Sequence, residues 1–245
     1  MSSRSERFTA GPGWTSAAEP VFPAAGEVIL VVASLDLPRE RLERLLETFS
    51  PRERERYQSF AHEQHRFRWG AARGLLREVL GRATGREPAR VGFRHAEHGK
   101  PHLDDGSLHF NISHSGGAAL IALARVEVGV DIELPRPRRT DDLARRFFAP
   151  MEQERLFALE GESRRDAFFR LWTCKEAFLK ATGEGFSRSL RSYEIDPSRG
   201  RVLWAAGIPD AADRFSVHPL DPGGPYRAAL VAETRPTEMR KYRWP

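Results

Sequence analysis

Two stretches of helical period, residues 61–81 and 163–182, each sit among runs that read as strands. This twice-made pairing constrains the chain more than any other feature. In the first stretch, Phe67, Ala71, Leu75, Val79 and Leu80 share one helix face, and Gly81 lies close to the expected end. Gly183 stops the second. Ahead of the first lie "EVILVVASLDL", a buried strand, and "LPRERLERLLETF", helical through Leu42, Leu45, Leu46 and Phe49. After it come "VGFRHAEHGKPHL", a strand running into a loop, and "LHFNISHSGGAALIALARVEVGVDIEL", strand-like and broken at Gly116 and Gly117. Shorter helices are expected at residues 141–148 and 151–160, and residues 190–233 read as strands between Pro and Gly turns. The pattern predicts an α+β chain of two similar halves meeting near residue 128. The Gly-, Pro-, Ser- and Ala-rich residues 1–26 read as a loosely attached extension. No residue-level repeat stands out.

The chain has 245 residues, enough for one large domain or two small ones. Its single cysteine, Cys174, excludes an intramolecular disulfide and reads as a small packed residue. The opening "MSSRSERFTAGPGW" lacks a secretory apolar run, and no stretch approaches the ~20 apolar residues of a membrane span. A cytoplasmic protein that does not bind membranes is expected. A net charge of +5 suits an anionic partner, although an arginine-favouring genome gives the same excess without functional content. The cations are dispersed among acids, as in "SPRERERYQSF", which argues against nucleic acid.

Three segments carry chemistry. In "VGVDIEL", Asp131 and Glu133 alternate with apolar residues and share one strand face. Two carboxylates about 7 Å apart repel unless a cation lies between them. The face therefore suits a hard divalent ion such as Mg2+, or else it is a solvated edge. In "LWTCKEAFLKATGEGF", Trp172, Glu176 and Lys180 line one helix side, four residues apart. Only four lysines occur in the chain, and two of them, Lys175 and Lys180, flank Glu176. A surface Glu–Lys pair explains the spacing but not the choice of lysine. A compact ammonium suits a phosphate oxygen in a tight site. Spacing assigns no role to Lys175. In "FNISHSGG", Ser113 and His114 point to opposite strand faces, so they are phosphate donors rather than a nucleophilic pair. His95, His98, His102, His109 and His114 lie close in sequence, but paired cysteines and zinc-type spacing are missing, so no zinc site is expected.

These pieces, with "GKP" at residues 99–101 and "QHRFRWGAARGLL" at residues 64–76, occur in one order that resembles the 4′-phosphopantetheinyl transferases of the Sfp type. The resemblance spans roughly residues 45–190. It implies a pseudo-twofold α+β fold, with each half a long helix on a small, mainly antiparallel sheet and the active site in the cleft between. The halves would be residues 27–127, binding the nucleotide, and residues 128–245, holding the metal site and catalytic helix. It implies transfer of the phosphopantetheine arm of coenzyme A to a serine of an acyl, peptidyl or aryl carrier protein, releasing adenosine 3′,5′-bisphosphate. Asp131, Glu133 and Glu176 would hold Mg2+. Lys180 and His114 would contact the pyrophosphate, with Glu176, Lys180 and His114 as the catalytic set. Arg56, Arg66, Lys100, Pro101 and Ser113 would hold the nucleotide end, together with His114, Asp131 and Lys180. Glu176 would be the base, directly or through a metal-bound water; sharing with a metal weakens a carboxylate base, which favours the water. Glu53 stands where a basic residue is expected. Thr182–Phe186 and the loop after Glu133 would meet the carrier, and an internal cleft suits a monomer. The rival readings are a Mg2+-dependent nucleotide or coenzyme A pyrophosphatase and a non-enzymatic binder of nucleic acid or coenzyme A.

Overall fold

The computed structural model describes residues 8–16, 22–136, 139–185 and 188–245. In chain order its elements are β1 (Thr15–Ser16), β2 (Glu27–Ser34), α1 (Arg39–Glu47), α2 (Pro51–Gln58), α3 (Glu63–Thr84), β3 (Phe93–His95), β4 (Pro101–Leu103), β5 (His109–Ser115) and β6 (Ala118–Ala124). There follow β7 (Val128–Glu133), α4 (Thr140–Phe147), α5 (Pro150–Phe157), α6 (Gly161–Thr182), β8 (Tyr193–Asp196), β9 (Arg201–Ala205), α7 (Ala211–Arg214), β10 (Phe215–Leu220), β11 (Arg227–Glu233) and β12 (Glu238–Arg243).

Strand β2 is apolar at nearly every position because both of its faces are covered. Ile29, Val31 and Ala33 face α1 and α3, while Val28, Leu30 and Val32 face the other way. There they meet Val128, Val130 and Ile132 of β7 and Leu230 of β11. Two sheets thus stack face to face, ordered β1-β12-β2-β6-β5 and β7-β11-β10-β9-β8, with α3 outside one and α6 outside the other. The strands β3 and β4 form a separate ribbon. Pairing is antiparallel throughout both sheets except where β12 lies parallel to β2 and to β1. The α+β architecture of two similar halves is what the sequence pattern predicts.

Several expectations are corrected. Helix α3 runs through Gly81 to Thr84 and ends at Gly85, whose φ of 70° is the left-handed cap conformation. Gly81 is needed for another reason: a Cβ there would stand 2.7 Å from the Arg86 carbonyl oxygen as the chain turns back. Strand β12, expected in the second half by position, pairs with β2 in the first. The described part of residues 1–26 is packed rather than loose. Phe8 is buried edge-on against Tyr226, and the Trp14 Nε1 donates to the Asp221 carbonyl at 2.7 Å. Residues 1–7 and 17–21 lie outside the described residues.

A residue-level repeat is also present. "PRERER" at residues 51–56 opens α2 as "PMEQER" at residues 150–155 opens α5, and "REVLGRATG" at residues 77–85 closes α3 as "KEAFLKATG" at residues 175–183 closes α6. Both long helices have 22 residues. In each half the glutamate of the short helix accepts from a buried cation of the long one. Glu53 takes Arg77 at 2.7 Å, and Glu152 takes Lys175 at 2.7 and 2.9 Å. Lys175, fully buried, also donates to the Tyr193 carbonyl at 2.9 Å. It ties α5, α6 and β8 together, which is the role spacing could not supply. Among the described residues no helix is long and apolar enough to cross a membrane.

Candidate active site

Helix α6 lies against β7 because of a glycine. A Cβ on Gly129 would stand 2.1 Å from the Ala177 carbonyl oxygen and 2.3 Å from the Ala181 nitrogen. Gly129, Asp131 and Glu133 alternate, so the strand face that lets the helix in also carries both carboxylates. The pair is therefore turned toward a helix and is not a solvated edge. From α6, Lys180 reaches Asp131 Oδ1 at 2.7 Å. Trp172, on the same side two turns earlier, is packed among Phe147, Phe148 and Phe168.

The other wall is β5, whose alternate residues Asn111, Ser113 and Ser115 reach across the seam between the sheets. Asn111 Oδ1 accepts from the Val130 N–H at 2.9 Å, Ser113 Oγ donates to Asp131 Oδ1 at 2.8 Å, and Ser115 Oγ donates to Glu133 Oε2 at 3.0 Å. Lys180 also donates to Ser113 Oγ at 2.9 Å. Asp131 Oδ1 is thus doubly occupied, while its Oδ2 is buried and makes no hydrogen bond among the described residues. A buried carboxylate oxygen without a donor is costly unless a cation serves it.

Glu176 completes the set. Burial, then the charge of Asp131 and more weakly that of Glu133, push its carboxyl up to about 7 from the ordinary 4.5, with Lys180 opposing. Three carboxylates therefore share one site that would repel a fourth anion but attract a hard cation. His114 keeps an exposed edge while protein crowds the rest of its ring. That desolvation, then the cations Lys180 and Arg68, hold it below its ordinary value, so the ring is neutral at pH 7.

His114 is also the link to a cavity of about 420 Å³, lined among others by Arg52, Arg56, Arg73, Trp69, His95 and Pro101. Glu53 sits in its wall without spoiling its positive character. Burial alone would raise the Glu53 carboxyl, but Arg77, Arg73 and the Ser50 N–H hold it at about 2. As residue N3 of α2 it completes a capping box with Ser50, which explains an acid where a basic residue is expected. Of the expected nucleotide contacts, Arg56, Pro101 and His114 line this cavity. Arg66 instead places its guanidinium over the Tyr57 ring at 5.9 Å. Lys100 turns away, donating to Glu127 at 2.6 Å and to the Val128 and Ala181 carbonyls at 3.1 Å each. Ser113 is engaged with Asp131 and Lys180 at the carboxylate cluster. Sequence reasoning missed Arg52, Arg73 and Trp69. Trp69 and Arg73 are four apart on α3, a helix-face signal that was available.

The chain matches the 4′-phosphopantetheinyl transferase superfamily over residues 127–231, and the N-terminal description of these transferases over residues 38–125. It is 44% identical to 4′-phosphopantetheinyl transferase HetI of Nostoc sp. over 69% of this chain and 73% of that protein. It is 32% identical to 4′-phosphopantetheinyl transferase Sfp of Bacillus subtilis over 80% of this chain and 87% of that protein. The chain belongs to the 4′-phosphopantetheinyl transferase superfamily. It is of the Sfp type, and it is an enzyme. Both matched regions of this transferase meet at the seam where β5 faces β7, so the carboxylates come from one region and the arginine cavity from the other. Phe186, expected near a carrier, lies outside the described residues, as do residues 137 and 138 in the loop after Glu133.

Proposed function

We propose that this transferase moves the phosphopantetheine arm of coenzyme A onto a serine of an acyl, peptidyl or aryl carrier protein and releases adenosine 3′,5′-bisphosphate. The observation that carries this reading is the approach of α6 to β7 at Gly129. It sets Glu176 and Lys180 beside Asp131, next to an arginine-lined cavity. Transfer to a serine requires that its Oγ form a bond to the β-phosphorus of the pyrophosphate while the bond to the bridging oxygen breaks. Such reactions are helped mainly by positioning and charge neutralisation. Arg52, Arg56 and Arg73, which line that cavity, would hold the nucleotide phosphates. The Lys180 ammonium, beside Asp131, would face the developing negative charge, and the neutral His114 ring would donate a hydrogen bond. Glu176 would take the serine proton through a water rather than directly, because a carboxylate that also holds a cation is a weaker base.

The donor set fits Mg2+: three carboxylates, with Asp131 Oδ2 buried and without a hydrogen bond. Asp131, Glu133 and Glu176 would hold the ion, which when bound neutralises pyrophosphate charge. Both walls of the cleft come from one chain, which supports a monomeric enzyme.

The test mixes the enzyme, Mg2+ and coenzyme A with apo carrier proteins and weighs the carriers. A gain of one phosphopantetheine, lost on adding a chelator, is expected. No gain across several carriers would sink the reading, and cleavage of coenzyme A without a carrier would make the enzyme a pyrophosphatase.

A further inference from the structure

Away from the carboxylate cluster, three ligand-bearing side chains from three elements converge. His102 is on β4, His109 opens β5, and Glu127 lies in the turn between β6 and β7. Their ligand atoms all lie within 4.8 Å of one another. Glu127 is divided between two duties: its Oε2 accepts from Lys100 at 2.6 Å, while its Oε1 faces both imidazoles. The Nδ1 of His109 is 3.0 Å from Oε1 and that of His102 is 4.0 Å away.

Although it stands 3.0 Å from Oε1, His109 Nδ1 is buried and has no well-formed hydrogen bond among the described residues, so a cation would serve it. Ligand atoms on a four-coordinate zinc sit roughly 3.3 Å apart, given bond lengths of about 2.0–2.1 Å. The two observed separations bracket that spacing. Burial is also the main reason that the His102 imidazole is held below its ordinary value, which leaves its ring neutral and able to ligate. Beside His102 and Glu127 opens a cavity of about 340 Å³, reaching Thr182 and Gly183 at the end of α6 and leaving room for a water as fourth ligand.

We propose that His102, His109 and Glu127 bind a divalent transition-metal ion of the zinc class, pinning β4, β5 and the β6–β7 turn together. Two imidazoles with one carboxylate select such an ion over Mg2+, which takes oxygen ligands. The site uses none of the residues assigned to the transfer chemistry. Local spacing gave no sign of it, because its ligands come from separate elements of the fold.

The experiment strips the full chain with a chelator, saturates it with Mg2+ and titrates it with Zn2+ under equilibrium dialysis. The unaltered chain is expected to take one tightly held Zn2+, and Co2+ in its place to give a visible absorption band. The double substitution His102→Ala, His109→Ala should weaken this binding more than about 100-fold, at least the loss caused by removing outer-shell partners, and keep the Mg2+-supported transfer rate. Because that variant could misfold, imidazole NMR of the unaltered chain gives a second reading: Zn2+ should shift the His102 and His109 ring signals. No Zn2+ uptake in the presence of Mg2+, uptake undiminished in the double variant, or unshifted rings would each overturn the site.

Discussion

The two halves carry one design put to two uses. Arg77 and Lys175 hold the same place in helices of the same length, and each is bonded to the third residue of the short helix before it. One residue on, Glu78 matches Glu176, and four further, Arg82 matches Lys180. Yet Glu78 is spent on Arg41, with bonds of 2.7 and 2.6 Å, and Arg82 lies over the Trp244 ring. The decisive difference lies in the strand beneath. Where β7 turns Gly129, Asp131 and Glu133 to its helix, β2 turns Ile29, Val31 and Ala33 to its own. An acid–base pair on a helix is a structural clamp over an aliphatic strand. On the function proposed above, it becomes a reaction centre over a strand bearing carboxylates and a glycine that lets the helix approach.

This contrast can be attacked in order of expected effect. Lys175→Met strands Glu152 in the interior, and losing one partner of a buried pair costs about 3–5 kcal/mol. Urea denaturation should show a loss of that size, and a smaller one for Arg77→Met in the other half, where Arg73 still pairs with Glu53. A rate loss without a stability loss would move Lys175 into the chemistry. Next, Glu176→Gln should lower carrier modification roughly 10²–10³-fold, the usual scale for one electrostatic contact to a transition state, while its counterpart Glu78→Gln leaves the rate nearly unchanged. Equal effects on rate would erase the proposed division of labour. Third, Gly129→Ala forces a methyl into the α6 backbone and should cost about 1–3 kcal/mol along with activity. On β2, Ile29→Val should cost about 0.5–1.5 kcal/mol and spare the rate.

The comparison has a pH signature as well. Glu176 is raised from 4.5 to about 7 in the fold, so between these values the folded chain binds more protons than the unfolded one. Without metal, this group's contribution to stability falls as pH rises through that window. Chemical denaturation of chelator-treated enzyme at pH 5 and pH 8 should show the decline, and Glu176→Gln should flatten it. No change in slope would mean that Glu176 is neither buried nor crowded by Asp131 as the structure has it.

Patterns of local origin were readable in advance. The period of 3.6 placed α3 and α6, the period of 2 put Asp131 and Glu133 on one face, and the i, i+4 spacing put Glu176 and Lys180 on one side of α6. What escaped depends on residues far apart in the chain. Nothing near Lys175 announces Glu152, and nothing near Lys100 announces Glu127 and the Ala181 carbonyl. The role of Gly129 needs the position of α6, which lies some fifty residues away. The repeat was different: its two short matches, at nearly the same offset, were in plain view but too brief to stand out before the paired helices gave them a frame.

The return of β12 to the first sheet bears on how the enzyme is made. Strand β2 emerges from the ribosome with β6 as its only long partner, and its other edge stays open until β12 follows the whole second half. Trp244, which packs in the first core and donates to Glu78 at 3.3 Å, arrives later still. An open strand edge of apolar residues is a template for unwanted pairing. The half synthesised first is therefore the half completed last, and a chain stalled before residue 238 would present its most exposed edge to its neighbours.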